Sequence, residues 1–247
     1  MWSFVYFGLG LVLAYWAARS WLFALIWTSV SKDVDRGLEG QKAALFGGRA
    51  DWGGALRGVV LEIGAGVGAN LRYFGRCAEG GITSVLLNEP HLSMHAALRA
   101  EAEACGLTVP SARTSNKSTL RLLGGSAEFL RIKSSSVDVV VCTLVLCSVG
   151  QPERVLREVQ RVLKPGGRLL FMEHVAAPRG SELRRRQDRW GPLWQLLPLD
   201  GCRINCETDV LVKGMGGWAS VSTEHFMDHS GPAVAAPTAM GCAVKAQ

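Results

Sequence analysis

The sequence predicts an α/β protein whose core is a doubly wound, mostly parallel sheet of seven strands. Three observations predict this fold. An apolar strand runs into a glycine-rich loop near residue 64, strand-like and helix-like segments alternate after it, and 247 residues suit one such domain with some to spare. The extra residues form an apolar N-terminal segment. We therefore expect a membrane-anchoring helix at residues 1–30, followed by one globular domain at residues 31–247.

The N-terminal segment carries a single charge, Arg19, between Trp2 and Val30. The uncharged stretch from Trp2 to Ala18 is near the shortest length that spans a bilayer, about 17 residues, and the whole segment is long enough if Arg19 snorkels. Its four tryptophans suit a membrane interface. A cleaved signal peptide and a soluble apolar helix are the alternatives. Basic residues after the first apolar stretch favour a cytoplasmic position for the following domain.

The strand Val59 to Ile63 leads directly into glycines at positions 64, 66 and 68. Glycines at alternate positions let the backbone bend sharply and approach a ligand closely. The pattern predicts a loop for a nucleotide-like cofactor. Because Ala69 also fits the dinucleotide fingerprint, the glycine spacing alone leaves a nicotinamide cofactor open.

Glu62 lies inside this strand, two residues before the first glycine. A buried carboxylate without a partner is costly, and a cationic ligand amine would supply the partner. Glu62 with the Gly64 to Gly68 alternation resembles motif I of the class I S-adenosylmethionine-dependent methyltransferases, which have a Rossmann-like sheet. A glycine-rich turn of some other α/β domain is the alternative reading.

The segments after the loop predict the remaining elements in order. Val137 to Leu146 is a continuous β-branched run, typical of a buried parallel strand. Pro152 to Leu163 has one apolar face at helical spacing, and Lys164 to Gly167 predicts the turn that follows it. The other strands are predicted at residues 84–88, 120–124, 168–174, 218–226 and 239–245, the last two as an antiparallel hairpin, and a further helix at residues 92–105.

Residues just after each strand are the expected ligand contacts, because such sheets bind ligands at the carboxyl ends of their strands. Glu89 follows the second strand, where a carboxylate can accept hydrogen bonds from both ribose hydroxyls. Ser126 follows the third strand, at a position where many methyltransferases have Asp, so the adenine contact is assigned to a backbone group or to Glu128. The predicted cofactor-binding residues are Glu62, Gly64, Ala65, Gly66, Gly68, Asn70, Asn88, Glu89, Ser126, Ala127, Glu128 and Thr143.

Three further segments, Val137 to Val149, Leu163 to Gly167 and Phe171 to Ala177, resemble the methyltransferase-like 7 family of microsomal alkyl-thiol methyltransferases. The resemblance covers most of residues 30–205 and fades after Cys206. It implies methyl transfer from S-adenosylmethionine to the sulfur of small lipophilic thiols, by an enzyme on the endoplasmic reticulum membrane and on lipid droplets. A methyltransferase for a lipid-like carbon or oxygen acceptor, such as a quinone precursor or sterol, and a non-catalytic membrane protein with this fold are the alternatives.

The implied reaction is an in-line displacement at the sulfonium methyl group. A thiol with a pKa near ~8.5 is only a few per cent ionised at neutral pH, so a base would assist it. His174, at the end of the fifth strand, is the candidate for this base or for a residue that orients the acceptor. The alternative is a histidine that satisfies a backbone group at the strand end.

Composition argues against several other kinds of site. Seven cysteines without a Cys-x-x-Cys pair predict neither a disulfide framework nor a zinc site. The pairs His91/His95 and His225/His229 lack a third ligand, so no metal is predicted. The net charge of +6 is not concentrated in a basic tract, which favours membrane phospholipid over nucleic acid as a partner.

The segment between Ala177 and Asp200 predicts the acceptor side of the site. Ser181 is placed to cap a helix with arginines on one side and tryptophans and leucines after them. Such an element can lie at a lipid interface while its aromatic side, with Trp194, covers a pocket. An ordinary surface helix is an equal alternative.

Overall fold

The computed structural model describes residues 2–78, 81–107 and 119–247. Seven strands form one sheet in the order β3-β2-β1-β4-β5-β7-β6. The first five are parallel to one another, and β7 runs antiparallel to both of its neighbours. This confirms the predicted doubly wound, mostly parallel sheet. The strands are β1 (Gly58–Ile63), β2 (Ile82–Asn88), β3 (Thr119–Leu123), β4 (Val137–Thr143), β5 (Leu163–His174), β6 (Trp218–Met227) and β7 (Pro237–Lys245).

Helices cover both faces of the sheet, and each face has its own apolar core. Along β1 the side chains alternate, so that Val60 belongs to one core and Leu61 to the other. Phe74 and Leu98 pack on the first face, while Val155 and Val212 pack on the second. The helices are α1 (Trp2–Gly37), α2 (Glu39–Phe46), α3 (Leu71–Ala78), α4 (His95–Ala104), α5 (Pro152–Val162), α6 (Glu182–Trp194) and α7 (Thr208–Gly214).

Two strand boundaries differ from the prediction. β4 ends at Thr143 rather than Leu146, because Leu144 adopts a positive φ of 58° and turns the chain away from the sheet. β5 begins at Leu163, so Lys164 to Gly167 form a bulge within the strand instead of the predicted turn before it. The shorter β4 places the residues up to Val149 at the carboxyl edge of the sheet.

The region after Cys206, where the family resemblance fades, is regular. It contains α7 and the antiparallel pair of β6 and β7. Since β7 also pairs with β5 along Arg168 to His174, the predicted hairpin completes the sheet.

α1 runs from Trp2 to Gly37 without a break, across the predicted domain boundary at residue 30. Its second half packs on the domain, where the Phe23 ring lies 5.5 Å from the His91 ring and Asp35 forms ion pairs with Lys42 and Arg72. Its first half exposes large apolar side chains such as Phe7 and Leu13. No helix in the described part of the chain has the length and hydropathy that a membrane crossing requires.

Candidate active site

The glycine loop after β1 has a backbone that only glycine adopts easily. Gly64, Gly66 and Gly68 have φ values of 64°, 56° and 93°. A Cβ at Gly64 would lie 2.3 Å from a methyl carbon of Val145, and one at Gly66 would lie 3.1 Å from the indole nitrogen of Trp27. The loop therefore lies between the turn after β4 and the second half of α1.

Glu62 is almost fully buried at the end of β1 and keeps one carboxylate oxygen free of partners among the described residues. Its Oε1 accepts a hydrogen bond from Asn70 Nδ2 at 2.7 Å, and the same amide donates to Thr143 Oγ1 at 2.9 Å. Its Oε2 has no hydrogen-bond partner. Burial raises the pKa of Glu62 to about 7, although the hydrogen bond from Asn70 opposes the rise.

Three buried oxygen atoms without partners belong to residues that line one small cavity of about 40 Å³. They are Ser31 Oγ, Glu62 Oε2 and Asn70 Oδ1. Two of them are acceptors only, and the hydroxyl can also accept. The set is complementary to a small cation with several N–H donors, such as the ammonium group of an amino acid.

Glu89 follows β2 and holds the glycine loop from the other side. Its Oε2 accepts the Gly66 backbone N–H at 2.8 Å, and its Oε1 accepts the His91 backbone N–H at 2.8 Å. The His91 ring lies between two carboxylates, with Nδ1 2.9 Å from Glu89 Oε1 and Nε2 3.3 Å from Asp200 Oδ1. Hydrogen bonding to Asp200, and then to Glu89, raises the pKa of His91 to about 10, so this ring is a cation.

The turn after β3 is held by its own hydrogen bonds. Ser126 Oγ accepts the Glu128 backbone N–H at 3.1 Å, and Glu128 Oε1 accepts the Gln151 backbone N–H at 2.9 Å, while Ala127 is buried in the core. Asn88 donates to the Gly125 carbonyl at 3.0 Å, and its own Oδ1 has no partner among the residues that the structure describes. Two exposed apolar side chains, Leu92 and Phe129, lie close in sequence to β2 and to this turn.

Beyond β4 and β5, two thiols and one imidazole meet. His174 Nδ1 lies 3.5 Å from Cys202 Sγ and 3.8 Å from Cys147 Sγ, and the two sulfur atoms are 4.0 Å apart. The contact between the thiols raises the pKa of Cys147 and lowers that of Cys202. Burial opposes the charge of His174, but the Cys147 thiol and the Glu173 and Asp228 carboxylates outweigh it and raise the pKa of His174.

α6 approaches this group through Trp194, which influences the Cys202 thiol, and it carries most of the lining of an apolar pocket. As predicted, Ser181 caps the helix, since its Oγ accepts the Arg184 N–H at 3.1 Å. Gln187, with no exposed surface, ties α6 to the neighbouring segments through the Ala177 N–H and the Val175, Ile204 and Val234 carbonyls. The pocket has a volume of about 400 Å³ and is lined by Trp190, Leu193, Trp194, Leu197 and Val234.

Comparisons with known proteins decide the family. The profile described as a methyltransferase domain matches residues 61–171. Human thiol S-methyltransferase TMT1B is 36% identical over 188 residues, which cover 75% of this chain and 71% of that protein. The rat TMT1B protein is 38% identical over 173 residues, which cover 69% of this chain and 65% of that protein. The chain belongs to the thiol S-methyltransferase family.

The fold agrees with this membership. The structure of a methyltransferase from Bacillus halodurans C-125 matches with a TM-score of 0.62 at 16% identity, and the match covers 84% of this chain and 100% of that one. The fold is therefore the Rossmann-like class I methyltransferase fold, and the methyl donor of this methyltransferase domain is S-adenosylmethionine. The buried oxygens without partners in the described part of the chain, Ser31 Oγ, Glu62 Oε2 and Asn70 Oδ1, fit the amino-acid end of this donor.

In this family member, the predicted cofactor residues lie together at the carboxyl ends of β1, β2, β3 and β4, because these parallel strands are neighbours in the sheet. Glu62, Gly64, Ala65, Asn70 and Thr143 line the small cavity, and Gly66 and Glu89 are hydrogen-bonded beside it. Asn88 and the segment Ser126 to Glu128 lie along the same edge of the sheet, at the ends of β2 and β3.

The sequence did not reveal the part that four residues, Trp27, Ser31, His91 and Cys202, play in the site. Trp27 and Ser31 of α1 line the cofactor cavity, although the sequence suggested only a membrane role for the helix around Trp27. His91 is bonded to Glu89 and Asp200, and its position two residues after Glu89 was the available signal. Cys202 was not singled out, because 55 residues separate it from Cys147.

Three of the four paired histidines considered as metal ligands, His91, His95 and His225, have other partners. His95 Nε2 lies 2.8 Å from the Glu89 carbonyl, and His225 Nε2 lies 2.9 Å from Asp209 Oδ2. Cys142 is a core thiol, since it is buried and points to Glu173 at 3.5 Å. Cys147 is buried as well, but it faces His174 and Cys202.

Proposed function

We propose that this protein transfers a methyl group from S-adenosylmethionine to the sulfur of small lipophilic thiols. The observation that carries the proposal is the apolar pocket of about 400 Å³ formed by α6 and the residues after it. It lies on the acceptor side, where Trp194 is close enough to Cys202 to influence its thiol. A pocket of this size and lining suits a lipophilic molecule. The names of the human and rat relatives give the thiol as the acceptor group.

The donor is held, in this proposal, by the residues along β1, β2 and β3. Glu62 Oε2 and Ser31 Oγ receive the ammonium group of the cofactor, and Asn70 and Thr143 fix the Glu62 carboxylate. Glu89 accepts the ribose hydroxyls. Asn88, with its free Oδ1, and the turn formed by Ser126, Ala127 and Glu128 face the adenine. The backbone of Gly64, Ala65, Gly66 and Gly68 passes beneath the amino-acid and ribose parts.

The reaction then requires alignment more than acid–base chemistry. The acceptor sulfur attacks the methyl carbon in line with the leaving sulfur, and holding both reactants in this geometry contributes about 7–11 kcal/mol in favourable intramolecular models. The role of His174 as a base stays a prediction, because its Nδ1 faces two protein thiols.

We also propose that residues 1–30 attach the enzyme to the endoplasmic reticulum membrane, with the catalytic domain facing the cytosol, and that it occupies lipid droplets as well. Two neighbouring elements support this. Arg19 of α1 donates hydrogen bonds to the carbonyls of Gln195 and Leu197, so the exposed apolar side chains of α1 adjoin those at the end of α6. The exposed arginines of α6, Arg185, Arg186 and Arg189, suit anionic lipid headgroups.

The activity is tested with the purified full-length protein and S-adenosylmethionine labelled in its methyl group. A panel of alkyl thiols, phenols and prenyl quinols of matched lipophilicity separates the candidate acceptors. We expect labelled thioethers as the main products. Methylation of a quinol or phenol in preference to every thiol would replace the proposed acceptor, and cofactor binding without any methylated product would favour a non-catalytic role.

Membrane attachment is tested in microsomes from cells that express the tagged full-length protein. We expect the protein to resist extraction by carbonate, and we expect added protease to digest its C-terminal domain without detergent. A matched variant with Phe7 and Leu13 changed to Glu should move to the soluble fraction. Protection of the C-terminal domain from protease would contradict the cytosolic orientation.

A further inference from the structure

Two cysteines and one histidine from three separate segments meet on the acceptor side of the sheet. Cys147 lies in the turn after β4, His174 is the last residue of β5, and Cys202 lies in the loop after α6. Their Sγ and Nδ1 atoms all lie within 4.8 Å of one another. Within residues 2–78, 81–107 and 119–247, these three side chains form the cluster that could hold a metal ion.

The spacing of these three atoms agrees with tetrahedral zinc. With Zn–S bonds of about 2.3 Å and a Zn–N bond of about 2.0–2.1 Å, tetrahedral angles require sulfur atoms about 3.8 Å apart and sulfur–nitrogen distances of about 3.6 Å. The observed distances are 4.0 Å between the sulfur atoms and 3.5 and 3.8 Å from sulfur to nitrogen. One ion can therefore reach all three ligands with little movement of the side chains.

The surrounding residues hold this geometry in place. Glu173, which has no exposed surface, accepts the backbone N–H of Cys147 and of Val145, each at 3.1 Å. The Cys147 carbonyl accepts the Arg203 backbone N–H at 2.9 Å, which joins the turn after β4 to the loop that carries Cys202. Such outer contacts orient the ligands of metal sites.

We propose that Cys147, His174 and Cys202 bind a zinc ion whose fourth position takes the acceptor thiolate. Three protein ligands with one open position are characteristic of catalytic zinc. Trp194 influences the Cys202 thiol and also lines the apolar pocket, so one wall of the pocket is near the proposed ion. The role of the fourth position rests on the proposed thiol acceptor.

The chemistry balances without an oxidant or reductant. Coordination of the thiol releases its proton to solvent and leaves a thiolate at neutral pH. A lone pair of this sulfur forms the new bond to the methyl carbon, while the bond from that carbon to the sulfonium breaks and its electron pair stays on the departing sulfur of S-adenosylhomocysteine. The product is a neutral thioether, a weaker ligand than a thiolate, so it leaves the zinc.

The test is a titration of the full-length protein, freed of metal in detergent, with Co²⁺ as a spectroscopic substitute for zinc. We expect one Co²⁺ per chain, with thiolate-to-cobalt charge-transfer absorption and the d–d bands of a tetrahedral site. Cys147→Ser and Cys202→Ser should each weaken Co²⁺ binding by at least about 100-fold, beyond the usual effect of altering an outer contact. The matched control is Cys242→Ser, since Cys242 is a buried thiol that contacts the Trp52 carbonyl elsewhere.

The fold of each variant is checked by its thermal stabilisation with S-adenosylhomocysteine, and His174→Gln replaces any cysteine variant that does not fold. Equal Co²⁺ binding by the wild type and by all three ligand variants, or no stoichiometric binding by the wild type, would overturn the site. Addition of an alkyl thiol should shift the d–d bands, whereas its methyl thioether should not. No shift with the thiol would overturn the role of the fourth position.

These outcomes are separate from those of the proposed function. Thiol methylation that continues at its full rate after zinc removal would refute the zinc inference and leave the thiol acceptor intact. Tight metal binding by a protein that methylates no thiol would support the zinc site and refute the thiol acceptor.

Discussion

The carboxyl edge of the sheet has two halves with opposite properties. The cofactor half, at the ends of β1 to β3, has a small cavity of about 40 Å³ with three buried oxygens that have no partner among the described residues. The acceptor half, beyond β4 and β5, has an apolar pocket ten times larger, about 400 Å³. Buried oxygens of this kind select a ligand strongly because the wrong ligand leaves them unpaired, whereas an apolar pocket discriminates by only about 1–3 kcal/mol per methylene. If the two halves act as proposed, we expect one fixed donor and a range of acceptors.

Among tests of the difference between the two halves, Glu62→Gln is expected to have the largest effect. Loss of the charge should weaken S-adenosylmethionine binding by about 100-fold or more, because removing one partner of a buried ion pair costs about 3–5 kcal/mol. Isothermal titration calorimetry measures the change. The matched control is Glu173→Gln, which alters an equally buried carboxylate on the acceptor half. Equal losses in the two variants would show that Glu62 has no special part in donor binding.

On the acceptor half, Trp194→Ala should raise the KM for a lipophilic thiol by about 10-fold, since an aromatic wall of the pocket is lost and 1.4 kcal/mol corresponds to a factor of ten. Donor affinity should stay nearly unchanged. Phe129→Ala is the matched change on the cofactor half and should weaken donor binding while sparing the acceptor. If Trp194→Ala weakens both ligands equally, the two halves are not independent.

The pH dependence of donor binding sharpens the comparison further. Glu62 has a pKa of about 7 in the unliganded protein. Its carboxyl group must lose a proton before it pairs with an ammonium group, so the dissociation constant should rise by about tenfold for each pH unit below 7. Calorimetry in buffers on both sides of pH 7 tests this. A flat profile in the wild type would contradict the pairing, and Glu62→Gln should give a flat profile.

The same pKa has a consequence for stability. In the unfolded chain Glu62 ionises near its ordinary value of 4.5, whereas in the folded protein it keeps its proton until about pH 7. Between these values the folded state binds more protons, so the free energy of unfolding falls as pH rises, by about 3 kcal/mol in total from this group. Below 4.5 this contribution is fully present. Denaturant titrations of the unliganded wild type and Glu62→Gln should differ in this window.

The smallest expected effect concerns the helix cap of α6. Ser181→Ala removes the acceptor of the Arg184 N–H and should lower stability by about 1 kcal/mol, or about 2–4 °C in Tm. Acceptor KM should change more than donor affinity, because α6 forms the pocket. Ser126→Ala, which removes an acceptor in the loop after β3, should show the reverse preference. Calorimetric melting and steady-state kinetics compare the two.

The cofactor half could be predicted from the sequence because its parts are local. Glu62, the glycines and Asn70 lie within nine residues, and Glu89 directly follows a strand. Apolar patterning placed the strands, and their parallel order then fixed which ends meet. His91 was missed as a partner because its contact with Asp200 joins segments more than a hundred residues apart.

The acceptor half could be predicted only in outline. Ser181 and the tryptophans after it indicated a capped helix over a pocket, and that helix is present. The meeting of Cys147 with Cys202 depends on where β4 ends, and Leu144 ends it with a left-handed backbone that leucine rarely adopts. No pattern in the residues around Leu144 signals that conformation. The contact between Cys147 and Cys202, which depends on this conformation, therefore could not be predicted from the sequence.

The unbroken course of α1 affects how the enzyme should be shortened for crystallisation or inhibitor screening. Its 36 residues form a rod of about 54 Å, and Trp27 in its second half lies against Gly66. Removal of all 30 N-terminal residues would remove the Trp27 indole from the glycine loop as well as the exposed apolar first half of α1. A truncated protein that starts near Trp21 keeps Trp27 against the glycine loop. The start of a shortened protein should therefore be chosen from the contacts of the active site and not from the end of the apolar segment.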